Sequence, residues 1–410
     1  MTQDSARELA LTGLIEWRQG RQFADAILQQ LLGKSSLHGS NRSFATELFY
    51  GVLRNLTLLD FWIGMLRKAP LDDASRDLLR LGLYQLFILR TPGHAAVFET
   101  VALASPRRRS LVNGVLRTAQ RRFKELDAGA AATPLAVRHS HPPFLIERWT
   151  KAFGEDATAA LCAWDNTSAP IYGRINGLKI SGNHAGAVPV PNASGFVQLD
   201  HVPTEALGRG EYYIQDPSTR VACELLAPQP GETVLDACAA PGGKSGLLAE
   251  LMQNRGVLVA SDRDASRVET LTQNLERLGV TIARVLQHDW RAGTLVGGEE
   301  QTFDRILIDA PCTNTGVMRR RIDVRWRLQP ADFARMQREQ LAIIAAVLPL
   351  LRPGGTLVYS TCSIEPEENE QVVEQTIRDF PFLQLSEQRA VLPFRDGFDG
   401  AFAARLTRTT

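Results

Sequence analysis

From Glu232 onward the chain alternates short apolar runs with helical stretches, and no other feature restricts its possible folds as much. Strands that alternate with helices of ten or more residues predict right-handed crossovers and a parallel, doubly wound α/β sheet. Ligands bind such sheets at the carboxyl ends of the strands. The predicted strands are 233–235, 256–260, 282–286, 303–308 and 356–359, and the predicted helices are 244–253, 265–278 and 331–351.

A glycine-rich turn, residues 236–244, follows the first predicted strand. Its Pro241, Gly242 and Gly243 let the backbone turn tightly and approach a ligand, which the amide groups of the next helix are free to bind. Asp262, at the end of the second strand, lies where a carboxylate usually binds ribose hydroxyls. The turn matches neither Gly-x-Gly-x-x-Gly nor a complete Walker motif, so it favours an adenosyl cofactor over a dinucleotide or ATP.

Two cysteines, Cys312 and Cys362, follow the fourth and fifth predicted strands. Because neighbouring strands lie about 5 Å apart, we expect both thiols above one cofactor site. A thiolate is strongly nucleophilic, and nearby cations lower the pKa of a thiol; Lys244 and the arginine run 319–321 are candidates for that role. The pair therefore predicts covalent chemistry.

Two aspartates close predicted strands at the same rim. Asp289 follows the third strand and is expected near an adenine, while Asp309 ends the fourth strand and is expected to face the cofactor. For both residues, a structural capping role is the alternative.

The cysteine count and the hydropathy restrict the class of protein. Five scattered cysteines without a Cys-x-x-Cys pair fit neither a disulfide framework nor a structural zinc site, so we expect free thiols and no metal. Cys162 and Cys223 lie in apolar helical runs and are expected to be small buried hydrophobes. No signal segment or membrane span is evident, which predicts a cytoplasmic protein.

The amino-terminal third is predicted to be helical and is basic. Apolar residues recur at helical spacing over 5–126. Residues 1–127 hold 18 Lys and Arg against 12 Asp and Glu, whereas the remainder holds 28 against 33. This excess, concentrated at 107–124, favours a polyanionic partner, although a solvated surface explains it equally well. Residues 127–134 are small and predict a linker, and 171–214 predict a small β-rich module.

Taken together, these motifs resemble the RNA (cytosine-5) methyltransferase family, and residues 1–126 resemble the NusB family of RNA-binding antitermination factors. The resemblance spans nearly the whole chain and implies three domains: a NusB-like all-α domain at 1–127, a small α/β middle module at 140–210, and a Rossmann-like class I methyltransferase domain at 211–410. It is carried by residues 49–54 and 111–117 in the first domain and by 236–244, 309–312, 316–320, 354–363 and 366–369 in the last.

The resemblance also implies residue roles. Cys362 is the nucleophile that attacks C6 of a cytosine, Cys312 assists its release, and Asp309 and Lys244 complete the catalytic set. The implied substrate is the RNA of the small ribosomal subunit, bound by a monomer whose 107–124 and 319–327 segments contact the RNA backbone. S-adenosyl-L-methionine is expected against Cys238, Ala239, Ala240, Pro241, Gly242, Gly243, Lys244, Asp262, Asp289 and Asp309.

Three alternatives remain open at this point. Transfer RNA could replace ribosomal RNA as the substrate. Cys312 would be the nucleophile if the chemistry followed that of DNA cytosine methyltransferases. A non-catalytic RNA-binding or antitermination factor is a third reading, against which the intact Lys244, Asp309 and cysteine pair argue.

Overall fold

The computed structural model describes residues 5–179, 188–293 and 302–409, which divide into two units. The first unit holds the chain up to Ser168 together with Met318–Arg327, and the second holds Ala169–Val317 and the chain from Leu328 onward. No helix in the described ranges combines the length and the apolar character that crossing a bilayer requires.

The first unit is helical, as predicted. Side-chain caps begin two of its helices: Ser5 accepts from the Glu8 amide, and Asp72 accepts from that of Ser75. Leu14, Phe49 and other apolar residues spaced three and four apart fill one core. The helices are α1 (Ala6–Arg18), α2 (Ala24–Lys34), α3 (Gly39–Arg54), α4 (Leu56–Leu66), α5 (Asp73–Leu83), α6 (Gly93–Ala102), α7 (Pro106–Arg121), α8 (Phe123–Ala131), α9 (Leu135–Arg138), α10 (Pro143–Phe153) and α11 (Glu155–Asp165).

The predicted linker at 127–134 is wrong over most of its length. Helix α8 continues to Ala131, and α9 begins at Leu135. Leu126 and Ala130 of α8 are buried in the core, so tertiary packing converts this alanine-rich run into helix.

The segment 319–327, which was expected to contact RNA, is partly buried inside the first unit. Arg319 stacks on the Trp164 ring at 3.9 Å, and Arg325 donates to Asn166 Oδ1 at 2.7 Å. Ile322 joins the helical core beside them. Arg319 and Arg325 are therefore structural anchors, and the prediction that they bind phosphates is wrong.

The second unit begins with the predicted β-rich module, an antiparallel four-stranded sheet in the order β2-β3-β1-β4. The alternation of short β-prone runs with Gly, Pro and Asn accounts for these short strands. They are β1 (Ile171–Ile175), β2 (Val188–Pro189), β3 (Phe196–Leu199) and β4 (Tyr212–Ile214), and the short helix α12 (Thr204–Gly208) precedes β4.

A seven-stranded sheet forms the rest of the second unit, in the order β10-β11-β9-β8-β5-β6-β7. Strands β5 to β9 run parallel, and β11 runs antiparallel to both β9 and β10. The strands are β5 (Thr233–Asp236), β6 (Val257–Asp262), β7 (Ala283–Gln287), β8 (Phe303–Asp309), β9 (Leu351–Thr361), β10 (Leu383–Val391) and β11 (Ala401–Arg408).

Helices connect most of these strands, and the central strands are buried on both faces. Ile306 and Ile308 belong to one apolar cluster and Leu307 to another, because successive side chains of a strand point to opposite faces. The predicted multidomain fold class is thus confirmed. The helices are α13 (Arg220–Leu226), α14 (Gly243–Leu251), α15 (Ala265–Leu278), α16 (Val324–Arg327, in the first unit), α17 (Pro330–Val347), α18 (Glu370–Asp379) and α19 (Pro393–Asp396).

The strand order reverses between β5 and β8. From β5 the chain proceeds outward to β6 and β7, and then returns to place β8 and β9 on the other side. In open α/β sheets, ligands bind outside the carboxyl ends of the strands at such a switch point. The glycine-rich turn follows β5 and Cys312 follows β8, so both predicted motifs lie at this position.

Candidate active site

The turn after β5 depends on glycine at two positions. Gly242 has φ +105°, a backbone conformation that side chains disfavour. A Cβ on Gly243 would lie 2.7 Å from Cε1 of Tyr213 and 2.8 Å from Oε1 of Gln215. Gly243 is also the first residue of α14, so free amide groups of the helix start at this turn.

A pocket opens beside this turn. Seven of the ten residues predicted to hold the cofactor line it: Cys238, Ala239, Ala240, Pro241, Gly243, Lys244 and Asp309. Sequence reasoning did not identify five other lining residues, which are Tyr213, Ile214, Gln215, Thr219 and Asp236.

The other three predicted cofactor residues are not among the residues that line this pocket. Gly242 shapes the turn. Asp262 is buried at the end of β6 and pairs with Arg267 at 3.4 Å. Asp289 caps a short 3₁₀ turn, and the hydrogen bonds from Arg291 lower the pKa of its carboxyl to about 2. The capping role considered for Asp289 is thus present in the structure.

Asp236 places an unsatisfied acceptor in the pocket wall. Its Oδ2 accepts from Ser245 Oγ at 2.6 Å, while its buried Oδ1 has no hydrogen-bond partner among the described residues. Burial raises the pKa of this carboxyl to about 7. A buried acceptor of this kind is costly without a donor, so the pocket is suited to a ligand that carries a donor or a positive charge.

Lys244 and Asp309 join the two motifs across the switch point. Lys244 Nζ lies 2.6 Å from Asp309 Oδ2, and their side chains are 17% and 32% exposed. Burial disfavours the Lys244 ammonium, but the charge and hydrogen bond of Asp309 outweigh burial and raise the pKa of Lys244 above its ordinary value. The pair therefore fixes a carboxylate at the rim of the pocket.

The two predicted cysteines meet at the ends of neighbouring strands. Cys362 directly follows β9, Asp309 of β8 pairs with Ser360 of β9, and the Ala310 amide donates to Ser360 at 2.8 Å. This register brings Cys312 Sγ within 3.3 Å of Cys362 Sγ. The expectation that strands four and five are neighbours and bring the thiols together is confirmed.

Asn314 holds both cysteine segments and was not identified from the sequence. Cys362 Sγ donates to its Oδ1 at 3.2 Å, and its Nδ2 donates to the Cys312 carbonyl at 2.9 Å. Its φ of +60° is left-handed, which asparagine tolerates better than most residues. Its only sequence signal is that it lies two residues after Cys312.

The prediction that nearby cations lower the thiol pKa is wrong for Cys312. Its hydrogen bond with Cys362 and its burial raise the pKa of Cys312 well above the ordinary thiol value. The prediction for Cys162 and Cys223 is confirmed, since both are fully buried and burial raises the pKa of each to about 12.

Comparison with known proteins identifies the family. The model of the 16S rRNA methyltransferase RsmB/F family matches residues 223–407, the NusB family model matches 4–121, and the ferredoxin-like domain model of RsmF/B-like methyltransferases matches 141–186.

Relatives of similar length support this match. The chain is 36% identical to a probable ribosomal RNA small subunit methyltransferase B of Bacillus subtilis, over 93% of this chain and 90% of that protein. It is also 36% identical to the ribosomal RNA small subunit methyltransferase B of Escherichia coli O7:K1, over 99% of both chains. A crystal structure of a methyltransferase homologue from Pyrococcus horikoshii covers 67% of this chain and 97% of its own, at 30% identity and a TM-score of 0.58. The chain therefore belongs to the RsmB/F family of 16S rRNA methyltransferases.

Proposed function

We propose that this protein methylates C5 of a cytosine in small-subunit ribosomal RNA, with Cys362 as a transient covalent nucleophile. The observation that carries the proposal is the cysteine pair, 3.3 Å apart, at the same strand ends as the Lys244–Asp309 pair and the pocket. The printed names of the relatives support the RNA substrate.

S-adenosyl-L-methionine is the cofactor, and it supplies an electrophilic methyl group. The pocket fits it in the amide groups at the start of α14 and in the unsatisfied Asp236 acceptor. Residues 238–244 and Asp309 would line its site, Asp262 would bind ribose hydroxyls, and Asp289 would lie on the adenine side.

Cys362 has to act first, because C5 of cytosine is a poor nucleophile. When the Cys362 thiolate adds to C6, the electrons of the C5–C6 double bond move into the ring and make C5 nucleophilic. Asp309 Oδ1 would accept a hydrogen bond from ring N3 once that nitrogen has taken a proton from solvent water, while Lys244 holds Oδ2 in place. The N3 proton returns to solvent when the thiolate leaves. Carboxylate and thiolate would thus act on one ring from adjacent strands.

Cys312 would assist the second half of the reaction. Loss of the C5 proton to a base restores the double bond and expels Cys362 Sγ as a thiolate. Because its pKa is raised, Cys312 retains its proton and donates a hydrogen bond to the departing sulfur 3.3 Å away.

The RNA must offer a base that has left its stack, so the substrate site is a loop or an unpaired segment. Helix α7 and the residues that follow it are the candidate for contacts with the RNA backbone. Arg108 pairs with Asp72 and Arg122 pairs with Glu125. The exposed side chains that form no ion pair with a described carboxylate are Arg107, Arg109, Arg121 and Lys124.

The test is methyl transfer from labelled S-adenosyl-L-methionine to 16S rRNA, with transfer RNA in parallel. We expect label in 5-methylcytosine of 16S rRNA, none with Cys362→Ala, and a covalent RNA adduct on denaturing gels with Cys312→Ala. Cys162→Ala, in the other unit, is the matched control. An adduct with Cys362→Ala instead would reverse the roles of the two cysteines. Label in transfer RNA alone would make transfer RNA the substrate. RNA binding without label would favour a non-catalytic factor.

A further inference from the structure

We propose that Glu368 is a positioning residue whose buried carboxylate fixes the Cys312 segment against the Cys362 segment. The proposal rests on the proposed roles of the two cysteines. Glu368 is fully buried just before α18, and it takes no part in the chemistry described above.

Towards the Cys312 segment, the Glu368 carboxylate binds the residue that follows Cys312. The Thr313 amide donates to Oε1 at 3.0 Å, and Thr313 Oγ1 donates to Oε2 at 2.6 Å. Gln340 Nε2 donates to the neighbouring Pro311 carbonyl at 3.0 Å and lies 3.4 Å from Oε1 of Glu368. The backbone is therefore held on both sides of Cys312.

Towards the Cys362 segment, the contacts of Glu368 and of the residue after it reach the residues that flank Cys362. Ser363 hydrogen-bonds to the Glu368 carboxylate, and its Oγ lies 3.4 Å from Thr313 Oγ1. The next residue, Asn369, donates to the Ser363 carbonyl at 2.9 Å and accepts from Thr361 Oγ1 at 2.6 Å. Glu368 and Asn369 thus hold both chain neighbours of Cys362.

Placing a carboxylate in this position lowers the free energy of unfolding. Among the described residues, Glu368 has no cationic partner, and burial raises the pKa of its carboxyl above the ordinary value. Burial of a charged group without a counter-ion destabilises a fold even when the group is hydrogen-bonded, and such groups concentrate at functional sites. Hydrogen bonds to the segments of both cysteines give this carboxylate a function that a glutamine would fulfil only in part.

The charge of Glu368 has a second effect on Cys312. After the Cys362 hydrogen bond, burial and the charge of Cys362, it also favours the protonated thiol of Cys312. Glu368 would therefore fix the distance between the two sulfur atoms and help Cys312 keep the proton that the release step uses.

The test compares Glu368→Gln, Thr313→Val and the control Glu374→Gln, which removes an exposed carboxylate of α18. Iodoacetamide labelling across pH, read by peptide mass spectrometry without RNA, gives the titration midpoint of Cys312. We expect Glu368→Gln to lower this midpoint and so to speed the reaction of Cys312 at neutral pH. Thr313→Val retains the charge and should leave the Cys312 midpoint unchanged. Combined with Cys312→Ala, which traps the adduct, it should slow adduct formation with RNA about tenfold.

The proposal would be overturned if Glu368→Gln kept both the Cys312 midpoint and the adduct rate of the unsubstituted protein. If that variant does not fold, an unchanged adduct rate in Thr313→Val would overturn it. Glu374→Gln should match the wild type in both assays. If the Cys312→Ala protein forms no adduct, the proposed function fails, and the labelling midpoint of the protein with Cys312 intact still decides whether Glu368 acts on Cys312.

Discussion

Gly316 gives the sharpest test of how closely the Cys362 segment is packed. Its amide donates to the Cys362 carbonyl at 3.0 Å, and its carbonyl accepts from the Gly400 amide at 2.7 Å. A Cβ on Gly316 would lie 2.7 Å from both the Cys362 carbonyl oxygen and Gly400 Cα. All of these neighbours are backbone atoms, so no side chain can rotate away.

The substitution Gly316→Ala should therefore displace Cys362. Optimal contacts between carbon atoms are about 3.5 Å, so the overlap is roughly 0.8 Å and the backbone has to move by a similar distance. Overpacking of this kind costs about 1–3 kcal/mol of stability, and a misplacement of about 1 Å can slow a reaction about 100-fold. We expect adduct formation with RNA to slow by about 10- to 100-fold in a protein that still folds.

The assay is the rate of covalent adduct formation in the Cys312→Ala background, with thermal unfolding measured alongside. Gly208→Ala is the matched control, because a Cβ on Gly208 meets nothing within 4 Å. A Gly316→Ala protein that forms the adduct at the rate of the control would refute the reasoning that this contact positions Cys362.

Three further predictions concern charge. Lys244→Met should abolish methyl transfer and lower the free energy of unfolding by about 1–3 kcal/mol in urea titrations, since it removes the cation that holds Asp309; the exposed Lys151→Met should change neither. Burial raises the pKa of Asp236 to about 7. Between about pH 4 and 7 the Asp236 carboxyl therefore loses its proton in the unfolded chain but retains it in the folded chain. The unfolding free energy of the wild type minus that of Asp236→Asn should fall by about 1.4 kcal/mol per pH unit over this window, and a flat difference would contradict the assignment. If α7 binds phosphates, Arg121→Ala should reduce the slope of log affinity against log salt for RNA by about 1, whereas Arg122→Ala, whose side chain is paired with Glu125, should leave it nearly unchanged.

The central strands could be predicted because burial on both faces makes them continuous apolar runs. Strands β5, β6 and β8 lie within one or two residues of their predicted positions. β10 and β11 were not predicted. Most residues of β10 are exposed and five of its nine are polar, so this edge strand has no apolar run to mark it.

The candidate site was predictable where a residue type at a strand end carries the chemistry. Cys312, Cys362, Asp309 and Lys244 are brought together by the order and register of β5, β8 and β9. Glu368 was not predictable, because its contacts to Thr313 join residues 55 positions apart and only the fold brings them together. The sign of the Cys312 pKa shift was missed for the same reason: sequence shows the charges, while burial and the neighbouring sulfur depend on packing.

The central claim is that the sulfur of Cys362 bonds to the cytosine ring. Its most direct test is to digest the adduct of the Cys312→Ala protein with nuclease and protease and to sequence the modified peptide by mass spectrometry. The account predicts a methylated cytidine nucleotide attached at Cys362. A nucleotide attached to any other residue would contradict it.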